Sequence, residues 1–361
     1  MIAFLCATPY QIFNVVNIKL SMYADEPADL YLLNFATDLL SYRESLQSSG
    51  LFENIYMIDD FNNPSTNLVI SLCMKRHYPT KDLLTQKVYT ALFVTCMGFC
   101  NTIFYSFLSR NNPDLLLYYY DEGIGIYTTP ILNFSTKLKV FFLLTGFKNY
   151  ANCIDCLYLY LPDARTTNLN YPTQKISPVK SSSLIDQLRK VFTVPTEKSH
   201  YNTAKFIFLD QAFKKQIGLN IDFPLLLNQL TQNTSPQNWL IKAHPTRLKT
   251  DPEYSAVASK FNIQASNDIP WEILLLNIKN IENKVFISVN STACVTAKMI
   301  YDKEPTVILL YKLIPEYMHR FKSSLKEIDQ FFSLVRDSYR EPSKFFIPNN
   351  YKELQHFLQS I

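Results

Sequence analysis

Short apolar runs recur along the chain, separated by amphipathic segments. In the first half the runs are Ile2–Cys6, Leu30–Phe35, Asn54–Ile58, Asp114–Tyr120 and Cys156–Leu161. In the second half they are Lys205–Leu209, Asn238–Ala243, Lys284–Val289 and Thr306–Leu310. Uninterrupted apolar runs of this length predict parallel strands covered on both faces. Between them, Ile12–Met22, Leu225–Leu230, Ala293–Ile300 and Leu325–Val335 carry helical spacing. Alternating strands and helices predict α/β sheets.

A polar stretch from Pro162 to His200 interrupts the alternation, with Pro172, Pro178, Ser181–Ser183 and Pro195 in it and a short helix expected at Ile185–Phe192. It divides the chain into an expected domain over 1–180 and a second over 181–361. Two such domains with parallel sheets facing a central cleft would bind ligands at the carboxyl ends of their strands. Chemistry is therefore sought just after strands. The run Val88–Leu108 carries no charge and is long enough to span a bilayer. Its Thr90, Thr95, Asn101, Thr102 and Ser106 favour a buried or dimer-facing helix over membrane contact.

The length of 361 residues accommodates two such cores. A hydrophobic share of 47% excludes a mostly disordered chain. The net charge of +4 is too weak to imply nucleic acid, and suits an anionic substrate or a loose membrane contact. The cysteines number seven, an odd count without regular spacing, which points to a reducing cytoplasm rather than a disulfide framework. The opening MIAFLCATPYQIF lacks a basic leader and reads as a first strand, not a signal peptide.

Three constellations follow expected strands. The first is Tyr118-Tyr-Tyr-Asp121-Glu122-Gly123-Ile-Gly125, which holds two of only six glycines in the chain. Gly123 permits a turn with positive φ. Adjacent carboxylates on an extended chain point to opposite sides, so one of the two is expected to reach a reacting atom as general base. The alternative is a strand-ending turn with solvated acids. The second is Trp239-Leu-Ile-Lys242-Ala-His244-Pro245-Thr-Arg247. Proline keeps His244 extended at a strand end, and Lys242 and Arg247 add positive charge, a setting for protonating or stabilising a leaving phosphate. A satisfied surface histidine is the plainer alternative. The third is Phe286-Ile-Ser288-Val-Asn290-Ser291-Thr292-Ala293. Ser291 or Thr292 can cap the helix that follows, whose free N–H groups suit a phosphate or carboxylate. A cap without ligand is the commoner case.

Weaker features accompany these. Glu272, after Ile269-Pro270-Trp271, is placed to accept from ribose hydroxyls or simply to favour a helix dipole. Thr8, Tyr10 and Gln11 follow the first strand and are acceptor-side candidates, or merely a helix start at Pro9. Cys153 and Cys156 lack further partners for zinc. No Gly-rich phosphate loop or dinucleotide fingerprint is present.

Taken in order, Asp-Glu-Gly, Lys-Ala-His-Pro and Ser-Val-Asn-Ser-Thr resemble the three signatures shared by bacterial sialyltransferases. With Cys6-Ala-Thr-Pro-Tyr-Gln11 and the size, the chain looks most like glycosyltransferase family 52, which includes lipooligosaccharide and capsule sialyltransferases. The resemblance implies a GT-B fold of two Rossmann-like domains, the first on the acceptor side and the second binding the nucleotide sugar. It implies inverting transfer from CMP-sialic acid to a galactose-type hydroxyl of a bacterial surface glycan, without metal or other cofactor. By position, the Asp121–Glu122 pair supplies the base, Glu122 beside Gly123 being favoured and Asp210 held in reserve. His244 acts as general acid or phosphate stabiliser. Pro245, Asn290, Ser291, Thr292, Lys242 and Glu272 bind the donor, and Thr8, Tyr10, Gln11 and Gly123 lie towards the acceptor. A homodimer and a peripheral place at the inner face of the membrane complete the expectation. The competing readings are a GT-B transferase using CMP-Kdo or a CDP-polyol, and a catalytically silent assembly partner.

Overall fold

The structure, a computed structural model, describes residues 1–33, 39–59, 79–96, 98–131, 140, 142, 144, 146–192, 200–214, 218–232, 234–244, 254, 257, 260–264 and 270–361. Pro245 and Arg247 lie outside the described residues. The chain divides into two compact units, Met1–Thr193 and Val194–Ile361.

The first unit is built on β1 (Ile2–Cys6), β2 (Ala28–Leu33), β3 (Asn54–Ile58), β4 (Ala91–Val94), β5 (Leu116–Tyr120), β6 (Cys156–Leu159) and β7 (Thr173–Lys175). They form a seven-stranded parallel sheet in the order β3-β2-β1-β4-β5-β6-β7. The second unit carries β8 (Phe206–Leu209), β9 (Trp239–Lys242), β10 (Asn262–Gln264), β11 (Val285–Ser288), β12 (Thr306–Leu309) and β13 (Phe345–Phe346). These form a six-stranded parallel sheet in the order β10-β9-β8-β11-β12-β13. All nine apolar runs form strands, and β1, β2, β4, β8, β9 and β11 are buried at every position, as strands covered on both faces must be. The order reverses beside β1 in one sheet and beside β8 in the other, so each sheet has a switch point at its carboxyl edge.

One expectation is corrected. The run Val88–Leu108 is not a single helix: β4 occupies its first part, and a helix, Phe99–Asn111, its last. Gly98, at φ 53°, takes the left-handed turn between them. The helix is buried from Phe99 through Ser109, so its apolar side chains are core. Among the described residues no helix is long and apolar enough to cross a membrane. The Pro162–His200 stretch also carries more structure than a linker. β7 pairs with β6, and the helix Ser182–Phe192 packs within the first unit, with Phe192 against Tyr42 at 5.3 Å between ring centres.

A polar cluster around a buried carboxylate ties β2 and β3 to the segment that leads into β4. Asp29 on β2 is fully buried; it accepts from Asn54 at 2.8 Å, from Lys87 at 3.1 Å and from the Tyr89 hydroxyl. Tyr89 also meets the Tyr31 hydroxyl at 2.7 Å. Removing the carboxylate takes the acceptor from the buried Tyr89 hydroxyl and the partner from the part-exposed Lys87 ammonium. Asp29→Ala is therefore expected to lower unfolding stability by about 1.5–3 kcal/mol, measured by urea titration; a loss below about 0.5 kcal/mol would mean that water satisfies these donors.

Candidate functional site

At the first sheet's carboxyl edge, β5 delivers Asp121, Glu122 and Gly123, and the two carboxylates part ways as the extended chain requires. Asp121 is 0% exposed. Its carboxylate accepts from Gly123 N–H at 2.9 Å, from Tyr160 N–H at 3.3 Å and from the Tyr127 hydroxyl. Its carbonyl oxygen accepts from Asn14 Nδ2 at 2.8 Å, and Asn14 Oδ1 accepts from Tyr160 at 2.9 Å. Burial pushes the Asp121 carboxyl up to about 6, against the pull of its three donors. Gly123 stands at φ 106°, a conformation reserved for glycine.

Glu122 is only part-buried. Its Oε1 accepts from the Tyr119 hydroxyl at 2.9 Å, and its Oε2 from Cys96 N–H at 2.8 Å and Thr95 Oγ1 at 3.1 Å. Burial raises its pKa above the ordinary glutamate value, and these hydrogen bonds oppose the rise. The result is an oriented carboxylate of enhanced basicity. Cys96 is exposed beside it; partial desolvation of its thiol, the Glu122 charge and a hydrogen bond to that carboxylate push the thiol up to about 11. The loop after β1 lies at the same edge. Thr8 caps the helix Pro9–Met22, accepting from Gln11 N–H at 3.3 Å with Pro9 in the first turn, and buried Gln11 accepts from Ala7 N–H at 2.6 Å. Tyr10 sits in that helix's first turn.

At the second sheet's carboxyl edge, β8 leads into Asp210, β9 ends on Lys242 just before His244, and β11 leads into Asn290. Asp210 is buried and accepts from Tyr254 at 2.5 Å. Its N–H bonds to the Lys242 carbonyl at 3.0 Å. Gln211 Oε1 accepts from Ser288 Oγ at 3.0 Å and Asn290 N–H at 2.7 Å, locking the loop after β11 to that after β8. Asn290 Nδ2 also bonds to Tyr317. Ser291 caps a 3-10 turn, Thr292–Cys294, by accepting from Ala293 N–H at 3.2 Å. The α-helix proper, Thr296–Tyr301, starts later on Val295, so neither Ser291 nor Thr292 caps it, contrary to expectation. His244, Asn290, Ser291 and Thr292 are all part-exposed.

Lys242 and Glu272 are instead buried, at 7% and 8% exposure. Burial pushes the Glu272 carboxyl up to about 7, opposed by its own N–H and by the Lys242 charge. Burial likewise lowers the Lys242 pKa, with Glu272 pulling the other way. Among the described residues no group of three histidine, cysteine or acidic side chains could hold a metal ion. The donors that fix Glu122, namely Thr95, Cys96 and Tyr119, and the Gln211 bridge were not singled out from the sequence. Thr95 and Cys96 follow a strand concealed in the long uncharged run, whereas Tyr119 and Gln211 stand beside residues already marked.

With this geometry in view, the comparisons define a class and then a family. The structure is similar to an alpha/beta-galactoside alpha-2,3-sialyltransferase from Photobacterium phosphoreum, with TM-score 0.54, 10% identity and coverage of 96% of this chain and 98% of that one. It is also similar to a Listeria monocytogenes protein described as a UDP-N-acetylglucosamine 2-epimerase, with TM-score 0.51, 10% identity and coverage of 99% and 87%. At such identity these likenesses speak for the fold, and the fold is the GT-B type of two parallel-sheet α/β units. The sequence model of the alpha-2,8-polysialyltransferase (POLYST) family matches residues 3–311, and the chain belongs to this family. It is a glycosyltransferase of the bacterial sialyltransferase class. No curated protein sequence matches the chain.

The Glu272 carboxyl yields a pH signature. Its folded pKa, about 7, lies above the 4.5 of the free group, so between those values the native state holds a proton that the unfolded state has lost. Stability is then lost as pH rises from about 4.5 to about 7, by roughly 3 kcal/mol. Urea unfolding of wild type and Glu272→Gln at pH 4.5 and 7.5 should show the variant gaining by about that amount at the higher pH. A gap that does not move with pH would show that Glu272 titrates normally.

Proposed function

We propose that the chain moves sialic acid from CMP-sialic acid to a glycan hydroxyl, with inversion at the anomeric carbon and without a metal. The observation that carries this is the family match together with Glu122, a half-buried, triply held carboxylate after a parallel strand. In this reading Glu122 takes the acceptor proton, while Asp121, sealed from water, shapes the turn that presents it. His244 meets the departing phosphate, and Asn290, Ser291 and Thr292 hold phosphate or the donor carboxylate; Pro245 belongs with His244 by sequence. Lys242 and Glu272, both buried, act on this edge through their charge rather than by direct contact with the donor. Asp210, already bonded to Tyr254, ranks behind Glu122 as base.

The chemistry fits. CMP leaves as a monophosphate while the sugar gathers positive charge, so histidine and oriented donors suffice to stabilise the charge as it develops. The family description, which names an alpha-2,8 linkage, supports a sialic acid as acceptor; a galactose-type hydroxyl is the second candidate. Homodimer formation and a peripheral place at the membrane's inner face accompany the proposal, to be checked by light scattering and liposome sedimentation.

Calorimetric titration with CMP and CDP in EDTA, paired with transfer assays from CMP-sialic acid to oligosialic acid and to lactose, tests the reading. Glu122→Gln should lower turnover by about 100-fold or more, with CMP affinity little changed. His244→Ala should weaken CMP binding as well. In wild type, kcat/KM should fall as pH drops through the Glu122 pKa, which lies above 4.5, because only the ionised carboxylate accepts a proton. A preference for CDP, or a fully active Glu122→Gln enzyme, would sink the reading.

A further inference from the structure

The two oxygens of Glu122 are unequally occupied. Oε2 takes two donors, Thr95 Oγ1 and Cys96 N–H, whereas Oε1 takes one, the Tyr119 hydroxyl. The Cys96 thiol, a weak donor, also reaches the carboxylate. A carboxylate oxygen has two lone pairs in its plane, so the two strong donors satisfy Oε2, whereas Oε1, with Tyr119 as its one strong donor, can take another. One turn further on, Gly125 is exposed. A Cβ placed there would stand 3.6 Å from Oε1 and, beyond its own helix, would meet nothing else within 4 Å among the described residues. Gly125 is helical, within Ile124–Thr128, and its φ is not in the left-handed region. Backbone conformation therefore does not demand glycine here. Among the described residues, the missing side chain leaves the approach to Oε1 from this side open.

We infer that Oε1 of Glu122 is the atom that takes the acceptor proton, and that the acceptor glycan reaches it across the bare surface of Gly125. This rests on the reading of Glu122 as the base. In the step, the acceptor oxygen bonds to the anomeric carbon of sialic acid and its proton passes to Oε1. The bond from that carbon to the phosphate oxygen breaks, and its electron pair leaves with CMP. Thr95 and Cys96 hold Oε2 and act as positioning groups, and the Tyr119 hydroxyl fixes the edge from which Oε1 is approached. Gly125 then determines how readily a large acceptor reaches the base: water passes easily, whereas a sugar ring is hindered once position 125 carries a side chain.

Gly125→Ala tests this without endangering the fold, since alanine raises helix propensity and its methyl would sit at ordinary contact distance from Oε1. Transfer to oligosialic acid and hydrolysis of CMP-sialic acid by water are measured side by side. The expected result is a rise of about tenfold or more in acceptor KM with hydrolysis little changed. Gly125→Val should widen the difference. An unaltered acceptor KM in both variants, or equal loss of transfer and hydrolysis, would overturn the inference. Tyr119→Phe supplies a second readout. Its hydroxyl lowers the Glu122 pKa, so its removal should move the acid limb of kcat/KM to higher pH; an unmoved limb would remove Tyr119 from the account. Glu122→Gln separates the two levels. If that variant transfers normally, the base reading itself has failed; if it is inactive while Gly125→Val behaves as wild type, only the approach over Gly125 has failed.

Discussion

Asp121 has no access to water, and the geometry of the first unit's strand edge hangs on how that carboxylate is satisfied. Three donors come to it from different directions: the N–H of Gly123 just ahead, the Tyr127 hydroxyl one turn on, and the N–H of Tyr160 beyond the end of β6. Asn14 reaches its carbonyl from the helix Pro9–Met22. An unpaired buried carboxylate would be untenable, so these groups must converge. Once they do, the backbone leaves β5 on one path only, with Gly123 left-handed and Glu122 turned the other way. The neighbouring acid is oriented because its partner cannot move. The raised pKa of Asp121 reflects burial that its donors do not fully offset.

The second unit solves a similar problem with side chains that do not meet the surface. Lys242, at the end of β9, and Glu272, in the helix Trp271–Leu275, perturb each other from buried positions. Gln211 then couples the loops after β8 and β11 through one oxygen. His244 and Asn290 thus project from a carboxyl edge whose underlying polar groups are largely committed.

Strands buried on both faces were legible because burial writes itself as uninterrupted apolar sequence: Phe206–Leu209 and Val285–Ser288 can scarcely be read otherwise. The strands that escaped notice did so for physical reasons. β7, β10 and β13 lie at sheet edges, where one side needs no covering partner, so Thr173–Lys175 is polar and Phe345–Phe346 only two residues long. β4 was hidden by the opposite excess, an apolar strand running into an apolar helix with only Thr95, Cys96 and Gly98 to mark the break. The site followed the same logic. Asp121, Glu122 and His244 stand out by residue type at the ends of readable strands, whereas Asn14, Thr95, Cys96 and Tyr160, which restrain the two acids, come from distant segments. Asn14 lies 107 positions from Asp121, a separation that no local pattern reports.

The polar edge at β7 also bears on how copies of the chain meet. Parallel sheets as apolar as these invite further strands wherever an edge lies bare. Gln174 and Lys175 are exposed on the outermost strand of the first sheet. A strand from another molecule docking there would have to strip water from the lysine ammonium and leave it unpaired. The short charged edge strand therefore ends growth of the sheet, protecting from aggregation a unit whose inner strands would otherwise promote it.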